Sequence, residues 1–511
     1  MPLFSLPRLL RVNFVSSPPA ASEADSAAVS PAALPAAALP SAAIPLVVDL
    51  DGTLVRTDTL LEGFLLLLKK NLLWGLLAPG WLLKGRAHLK SEIAKRVELD
   101  ATQLPYREDL LIWLRAQHQA GRPLMLATAA DQRVAQAVAA HLGFFSRVYA
   151  SDGVINLRGE RKLARLRETL SGPFDYVGNG AEDLPLWRTA RAAVVVDASA
   201  RVCREAQKTA RVEKILPRER LTVKTFLRAL RVHQWAKNVL VFVPLIAAHK
   251  VRDAALLLQT VGAFASFSLL ASSVYVVNDL LDLPADRRHP HKRERPFASG
   301  ALPLSWGLLL APALWLCGAV LALWLPTPFW TLLGMYYLAT LAYSLWLKQM
   351  MVLDVLVLAG LYTVRIFAGS RATGVPTSSW LFTFAMFLFF SLALVKRLSE
   401  VRRLRLSNEA AAPGRGYLAS DYEQLGSLGT ASGFLSVLVL SLYITSKEVA
   451  VLYAHPERLW LLCPLMMYWL SRVWLLAHRG QVNEDPLLFA LKDGISYGVG
   501  AMAAVILYFA V

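Results

Sequence analysis

From about residue 235 onward the chain is a succession of apolar stretches close to the length a bilayer demands. Nine can be counted: 239–250, 256–278, 303–325, 329–345, 353–372, 379–396, 430–446, 459–477 and 494–511, the first of them short for a full crossing. In lipid every backbone polar group has to be satisfied inside its own segment. This half is therefore expected to be an all-α polytopic membrane bundle of about nine transmembrane helices. Composition agrees: 55% of residues are hydrophobic, 18% are charged and the mean hydropathy is +0.43, too apolar for a soluble enzyme of this size. With the N-terminus in the cytoplasm, Arg287, Arg288, Lys292, Arg293, Arg295, Lys348 and the run Lys396, Arg397, Arg402, Arg403, Arg405 all fall inside. Only scattered charges such as Lys250, Arg252, Arg371, Lys447 and Arg458 are left outside. The positive-inside rule then predicts a bacterial-type inner (plasma) membrane protein with its active sites on the cytoplasmic face.

The formal net charge of +17 suits basic loops at an anionic leaflet, or a site that handles phosphorylated substrates. The basic residues sit beside apolar segments rather than on an aromatic-rich soluble face, so no nucleic-acid partner is expected. Cys203, Cys317 and Cys463 have neither metal-ligand nor redox spacing.

Residues 1–45 form an Ala/Pro/Ser tract with too little bulky apolar surface to bury, and disorder is expected there. A signal-peptide reading of the start fails on Pro7, Arg8, Arg11 and Asn13, which break the apolar run. Residues 46–215 read differently. Short apolar runs beginning at Ile44 and at Pro123–Thr128, Phe174–Gly178 and Ala192–Asp197 alternate with helical sequence, the pattern of a doubly wound, Rossmann-like α/β domain. Residues 58–115 would form a helical cap. Its apolar part, Phe64–Leu83, is interrupted by Lys69, Lys70 and Asn71, which suits cap helices at the membrane surface better than a span.

In VVDLDGTL, Asp49 and Asp51 end a strand, where open α/β sheets hold their ligands. Thr128 ends LMLAT, Lys162 lies in GERKLARL and Asp183 closes GNGAED. These four motifs, in this order, resemble those of the haloacid dehalogenase (HAD) superfamily. The resemblance implies a nucleophile at Asp49 and a general acid/base at Asp51. It also implies phosphoryl binding by Thr128 and Lys162, and Mg²⁺ held by Asp49, Asp51 and Asp183. Where the family usually has aspartate this chain has Asn179, a weaker Mg²⁺ ligand, so the domain reads as a phosphatase or as a scaffold.

The segment NDLLDLPADRRHPHKRERPFASG follows the second apolar stretch. Asp279, Asp282 and Asp286 are spaced i, i+3, i+7 and share one helical face if the helix continues that far. Three such carboxylates repel one another unless they share a cation, and Mg²⁺ completed by substrate phosphate oxygens answers that need. Lys292 and Arg295 follow closely enough to take further phosphate charge. Charges deep in a span are costly and usually functional, which singles out Lys348, Arg365, Lys396 and Arg397. The stretch resembles the first signature of the UbiA superfamily of intramembrane prenyltransferases, and the likeness extends over residues 225–511. It is nearest to the polyprenyl-phosphate phosphoribosyltransferase branch. RVHQWAKNVLVF carries Trp235, Lys237 and Asn238, and the segment around Tyr343, Lys348, Asp354, Arg365 and Gly369 fits as well. LVKRLSE and EDPLLFALKD add Lys396, Arg397, Glu400, Glu484, Asp485 and Asp493; that branch tends to have Glu at the position of Asp354.

The resemblance implies an Mg²⁺-dependent transferase with Asp279 and Asp282 at the reaction centre. Substrates would be bound by Lys237, Asn278, Lys292, Arg295, Lys348, Arg365, Lys396 and Arg397. The implied reaction is transfer from phosphoribosyl diphosphate to a polyprenyl phosphate, with the HAD-like domain dephosphorylating the product. The rival is transfer of a prenyl group from a prenyl diphosphate to an aromatic acceptor. A non-catalytic anchor for the soluble domain has no need of three facing carboxylates, and a transporter is opposed by the lack of obvious inverted repeats.

Overall fold

The computed structural model describes residues 44–407, 416–482 and 485–511; the expectation of disorder over 1–45 lies almost wholly outside these residues, and so does Glu484. The soluble half is a six-stranded, all-parallel sheet in the order β3-β2-β1-β4-β5-β6. The strands are β1 Leu46–Val48, β2 Leu124–Asp131, β3 Phe145–Ser151, β4 Asp175–Gly178, β5 Ala193–Val196 and β6 Val212–Leu216. Four were expected. β1, β4 and β5 are buried along their whole length, hence their continuous apolar runs. β3 (FSRVYAS) and β6 (VEKIL) are the two edges, partly exposed and mixed in sequence, so no apolar run announces them. Val48 of β1 lies opposite Leu126 of β2 and Val177 of β4. The chain winds outward in both directions from β1, and the reversal of strand order puts Asp49 at the crevice where such sheets bind ligands.

The cap begins with α1, Thr59–Lys70, whose N-cap Asp58 accepts from the Leu61 N–H. It continues with α2, Trp74–Leu83, which is apolar on every side and buries none of its residues. Its own Leu76 and Leu83 and the preceding Leu73 are largely exposed, so water is a poor solvent for this helix.

In the second half, six helices among the described residues are long and apolar enough to cross a membrane: Ala254–Leu281, Leu304–Ala322, Leu353–Thr373, Ser379–Leu406, Ala419–Ile444 and Pro456–His478. The other three expected stretches differ from these. Residues 239–250 belong to a 3₁₀ segment, Val232–Phe242, and a five-residue helix, Val243–Ala247. Residues 329–345 lie in a 19-residue helix, Thr327–Leu345, made less apolar by its tyrosines, threonines and serine. The last is a shorter apolar helix, Gly494–Ala510. Small residues let the backbones approach. The Ser266 hydroxyl donates to the Gly318 carbonyl at 2.7 Å, and a Cβ on Gly318 would stand 2.2 Å from Leu270.

The soluble half is docked on the membrane half. Leu65 of α1 shares an apolar cluster with Val276, Leu280 and Phe297. Glu62 of α1 receives both Nη groups of Arg287, at 2.9 and 2.5 Å, with both side chains buried. The soluble domain and the aspartate-rich segment therefore face the same side of the membrane.

Candidate active sites

After β1 the chain turns sharply: the N–H groups of Thr53, Leu54 and Val55 all donate to the Leu50 carbonyl. Gly52 sits at φ +73°, and a Cβ there would lie 2.2 Å from the Asn179 amide nitrogen, so only glycine fits. Lys162 donates to Asp49 Oδ1 at 2.8 Å and to the Tyr176 hydroxyl at 2.9 Å. Tyr176 in turn donates to Asp183 Oδ1 at 2.9 Å. Asp51 Oδ1 accepts the Thr59 N–H, at the start of α1, at 2.9 Å. Burial pushes the Asp49 carboxyl up to about 6 in spite of Lys162. Burial, with Asp58 adding to it, pushes Asp51 up to about 7. A cavity of about 540 Å³ opens over Asp51 and Asn179; Arg56, Arg107 and Arg218 line it, and so do residues of the 300–305 loop of the membrane half.

The structure thus joins Asp49, Lys162 and Asp183 in one network and puts Asp51 at its edge. Thr128 is fully buried, its hydroxyl accepting from the Ala130 N–H; Asp51 lines the cavity, whereas Asp49, Thr128, Lys162 and Asp183 do not. The expected Mg²⁺ set of Asp49, Asp51 and Asp183 is not assembled. Asp183 has both oxygens engaged, Oδ1 by Tyr176 and Oδ2 by the N–H groups of Asn179 and Gly180. Among the described residues no three His, Cys, Asp or Glu side chains are grouped to hold a metal ion.

In the membrane half the continuous helix expected to carry Asp279, Asp282 and Asp286 is broken, although Asp279 and Asp286 still meet at Arg295 Nη1. The helix ends at Leu281, Asp282 leaves helical geometry (φ −97°, ψ 12°), and Pro284 starts a new short helix, Leu283–Arg288. Asp279 is buried against Arg231 and Arg295 and does not line the cavity. Arg295 also reaches Asp286 at 2.6 Å. The residues facing a cavity of about 320 Å³ are Asn278, Asp282 and Asp286, with Lys292, Arg295, Lys348, Lys237, Arg365 and Lys396 around it.

Lys237 donates to Asp485 at 2.7 Å, Tyr362 donates to the same carboxylate, and Lys396 stands 3.9 Å from it. Arg365 donates to Asn238 Oδ1 at 2.8 Å and lies 5.3 Å from the ring centres of Phe267 and Tyr336. Among the described residues lining this cavity, seven are cationic (Arg231, Lys237, Lys292, Arg295, Lys348, Arg365, Lys396) and three are carboxylates (Asp282, Asp286, Asp485). Sequence reasoning gave no site role to Arg231, Tyr362 or Asp485. The one available signal was the position of Asp485 in EDPLLFALKD.

Arg397 is not among the lining residues. It is fully buried, pairs with Asp354 at 2.6 Å and with Glu400, and donates to Tyr343 at 2.9 Å. This is a core ion pair, and Tyr417 donates to the other oxygen of Asp354. Arg397→Met is expected to cost about 3–5 kcal/mol, because it leaves a buried carboxylate without its cation. Thermal denaturation of the detergent-solubilised protein measures this, and Arg397→Met/Asp354→Leu should recover part of the loss.

The family model described as the UbiA prenyltransferase family matches residues 239–491. The decaprenyl-phosphate phosphoribosyltransferase of Mycolicibacterium smegmatis is 33% identical over 253 residues, which cover 48% of this chain and 76% of that protein. The chain belongs to the UbiA prenyltransferase family. With its six apolar helices, this UbiA-family enzyme is an integral membrane protein. The nodulation protein NoeC of Azorhizobium caulinodans is 36% identical over 277 residues, 53% of this chain and 88% of that protein. The uncharacterized protein y4nM of Sinorhizobium fredii is 38% identical over 464 residues, 90% of this chain and 89% of that protein, and so matches across both halves of the UbiA-family chain.

Proposed function

We propose that the membrane half transfers a 5-phosphoribosyl group from its diphosphate donor to a polyprenyl phosphate, and that the soluble half then removes the 5-phosphate. The excess of seven cations over three carboxylates around one cavity carries this reading. A prenyl diphosphate brings one diphosphate. Phosphoribosyl diphosphate brings a diphosphate and a monophosphate, and the acceptor adds a further phosphate. The similarity to a decaprenyl-phosphate phosphoribosyltransferase supports the same choice.

Lys292, Arg295 and Lys348 bind donor phosphates, while Lys237, Arg365 and Lys396 take the remaining phosphate charge. A phosphate oxygen of the lipid forms the new bond at the anomeric carbon as the bond from that carbon to the diphosphate breaks, and diphosphate departs. Asn278, Asp282 and Asp286 are the oxygen donors facing the cavity, and they would hold an Mg²⁺ ion together with diphosphate oxygens once Lys69, Lys348 and Arg295 turn from the carboxylates. That ion would offset charge on the departing diphosphate. An apolar groove of about 790 Å³, lined by Val277, Trp315, Leu333 and Tyr337, starts one residue from Asn278 and suits the polyprenyl chain. The basic cluster Arg287–Arg295 supports a cytoplasmic position for this end and for the soluble domain.

In the soluble half we assign the HAD-type reaction. Asp49 attacks the phosphorus, Asp51 gives its proton to the departing ribose oxygen, and water hydrolyses the aspartyl phosphate. The cavity between Asp51 and the 300–305 loop suits a substrate held at the membrane. Phosphate release should be bell-shaped in pH. Below about pH 6 Asp49 takes up a proton and loses nucleophilicity, and above about pH 7 Asp51 loses the proton it donates. Phosphate release measured from pH 5 to 9 checks this; a monotonic profile counts against the assignment.

Membranes incubated with labelled phosphoribosyl diphosphate and a polyprenyl phosphate test the reaction itself. Labelled lipid is the expected outcome. Product formed only from a prenyl diphosphate and an aromatic acceptor would overturn it.

A further inference from the structure

We propose that the phosphate site of the membrane half is composite: Lys69, contributed by the cap of the soluble half, is one of its phosphate-binding residues. Lys69 Nζ lies 2.7 Å from Asp282 Oδ1, while Lys348 Nζ lies 3.1 Å from Asp282 Oδ2. One carboxylate is thus held between two ammonium groups from the two halves of the chain. Lys69 and Lys348 line a second cavity, of about 640 Å³, together with Asn278, Asp282, Asp286 and Lys292, residues that also face the first cavity. A diphosphate engaging Asp282 through a cation therefore meets Lys69 and Lys348 together, and both can turn from the carboxylate to the phosphate oxygens.

The placement of Lys69 is not that of a chance surface pair. Its neighbour Lys70 turns back into the soluble half, to the Arg96 carbonyl at 3.1 Å. Two turns earlier the buried Glu62–Arg287 pair fixes the roll of α1. The 300–305 loop is pressed on the same domain, since a Cβ on Gly300 would stand 2.5 Å from Arg56 Cβ. The opposite end of α1 carries the Thr59 N–H that Asp51 accepts. Twelve helical residues, about 18 Å at 1.5 Å per residue, therefore join the soluble site to the membrane site. A phosphate group in either cavity touches the same rigid rod.

The inference rests on reading the membrane cavity as a phosphate site, and its test does not depend on the donor's identity. Binding of magnesium pyrophosphate to the full-length protein in detergent is measured by calorimetry for wild type, Lys69→Met, Lys69→Arg and Lys348→Met. Lys69→Met is expected to weaken binding about tenfold, as Lys348→Met does, with an unchanged melting temperature; Lys69→Arg should bind within about twofold of wild type. Wild-type affinity in Lys69→Met beside a loss in Lys348→Met overturns the proposal, because the site then belongs to the membrane half alone. Equal losses in Lys69→Met and Lys69→Arg also overturn it, as they point to docking rather than phosphate binding. Lys69-dependent pyrophosphate binding by a protein that transfers no phosphoribosyl group would leave this inference standing and remove the donor assignment instead.

Discussion

Asp282→Asn is expected to lower transfer on the order of a hundredfold while leaving the protein inserted and folded. Asp282 faces the cavity, lies outside helical geometry and is paired with two lysines, Lys348 on that cavity and Lys69 on the adjoining one. An amide keeps the shape but removes the charge that the two ammonium groups share and that a bound metal ion would need. Lys69 and Lys348 are partly solvated, so losing their carboxylate costs the fold little. Asp279→Asn is expected to behave differently. Its carboxylate is buried and ties Arg231 to Arg295, so its loss should lower the melting temperature as well as transfer. Transfer kinetics and thermal melts of the two variants separate a residue that meets substrate from one that positions Arg295. Equal melting losses in both variants, or full transfer by Asp282→Asn, would show that Asp282 is not the cavity's metal and phosphate contact.

How much of this was legible depended on whether the deciding contact was local. β1 and the Asp49–Asp51 loop could be read because a strand buried on both faces is a continuous apolar run and its end is a turn. The edge strands β3 and β6 offered no such run. The spacing of Asp279, Asp282 and Asp286 predicts one continuous helical face, but the helix stops at Leu281 and Arg295 joins only Asp279 and Asp286. Pro284 was visible as a warning, but which carboxylate turns to the cavity is settled by Arg231, 48 residues away from Asp279. Arg397 illustrates a general ambiguity: an arginine deep in a span reads the same whether it meets a substrate or a core carboxylate. Its partner Asp354 sits on the preceding helix, and only packing brings them together. The pairs Lys237–Asp485 and Lys69–Asp282, 248 and 213 residues apart, lay beyond any pattern argument.

The soluble site gives the other large effect. Asp49→Asn is expected to reduce phosphate release on the order of a thousandfold or more, because a carboxamide is not a nucleophile toward phosphorus. The fold should tolerate the change. Lys162 keeps the Tyr176 hydroxyl at 2.9 Å and Asp183 at 4.0 Å, and the amide occupies the space of the carboxylate. Transfer uses none of these groups, so the variant should still make the lipid-linked product but leave the ribose 5-phosphate on it. Thin-layer chromatography would then show a more polar lipid from Asp49→Asn than from wild type, with inorganic phosphate released only by wild type. The same lipid from both proteins, with no phosphate from either, would mean that the soluble half does not act on this product and that Asn179, in place of the usual aspartate, had removed the activity. A loss of transfer itself in Asp49→Asn would instead mean that the soluble site is felt at Asp282, and α1 is the connection through which that coupling would pass.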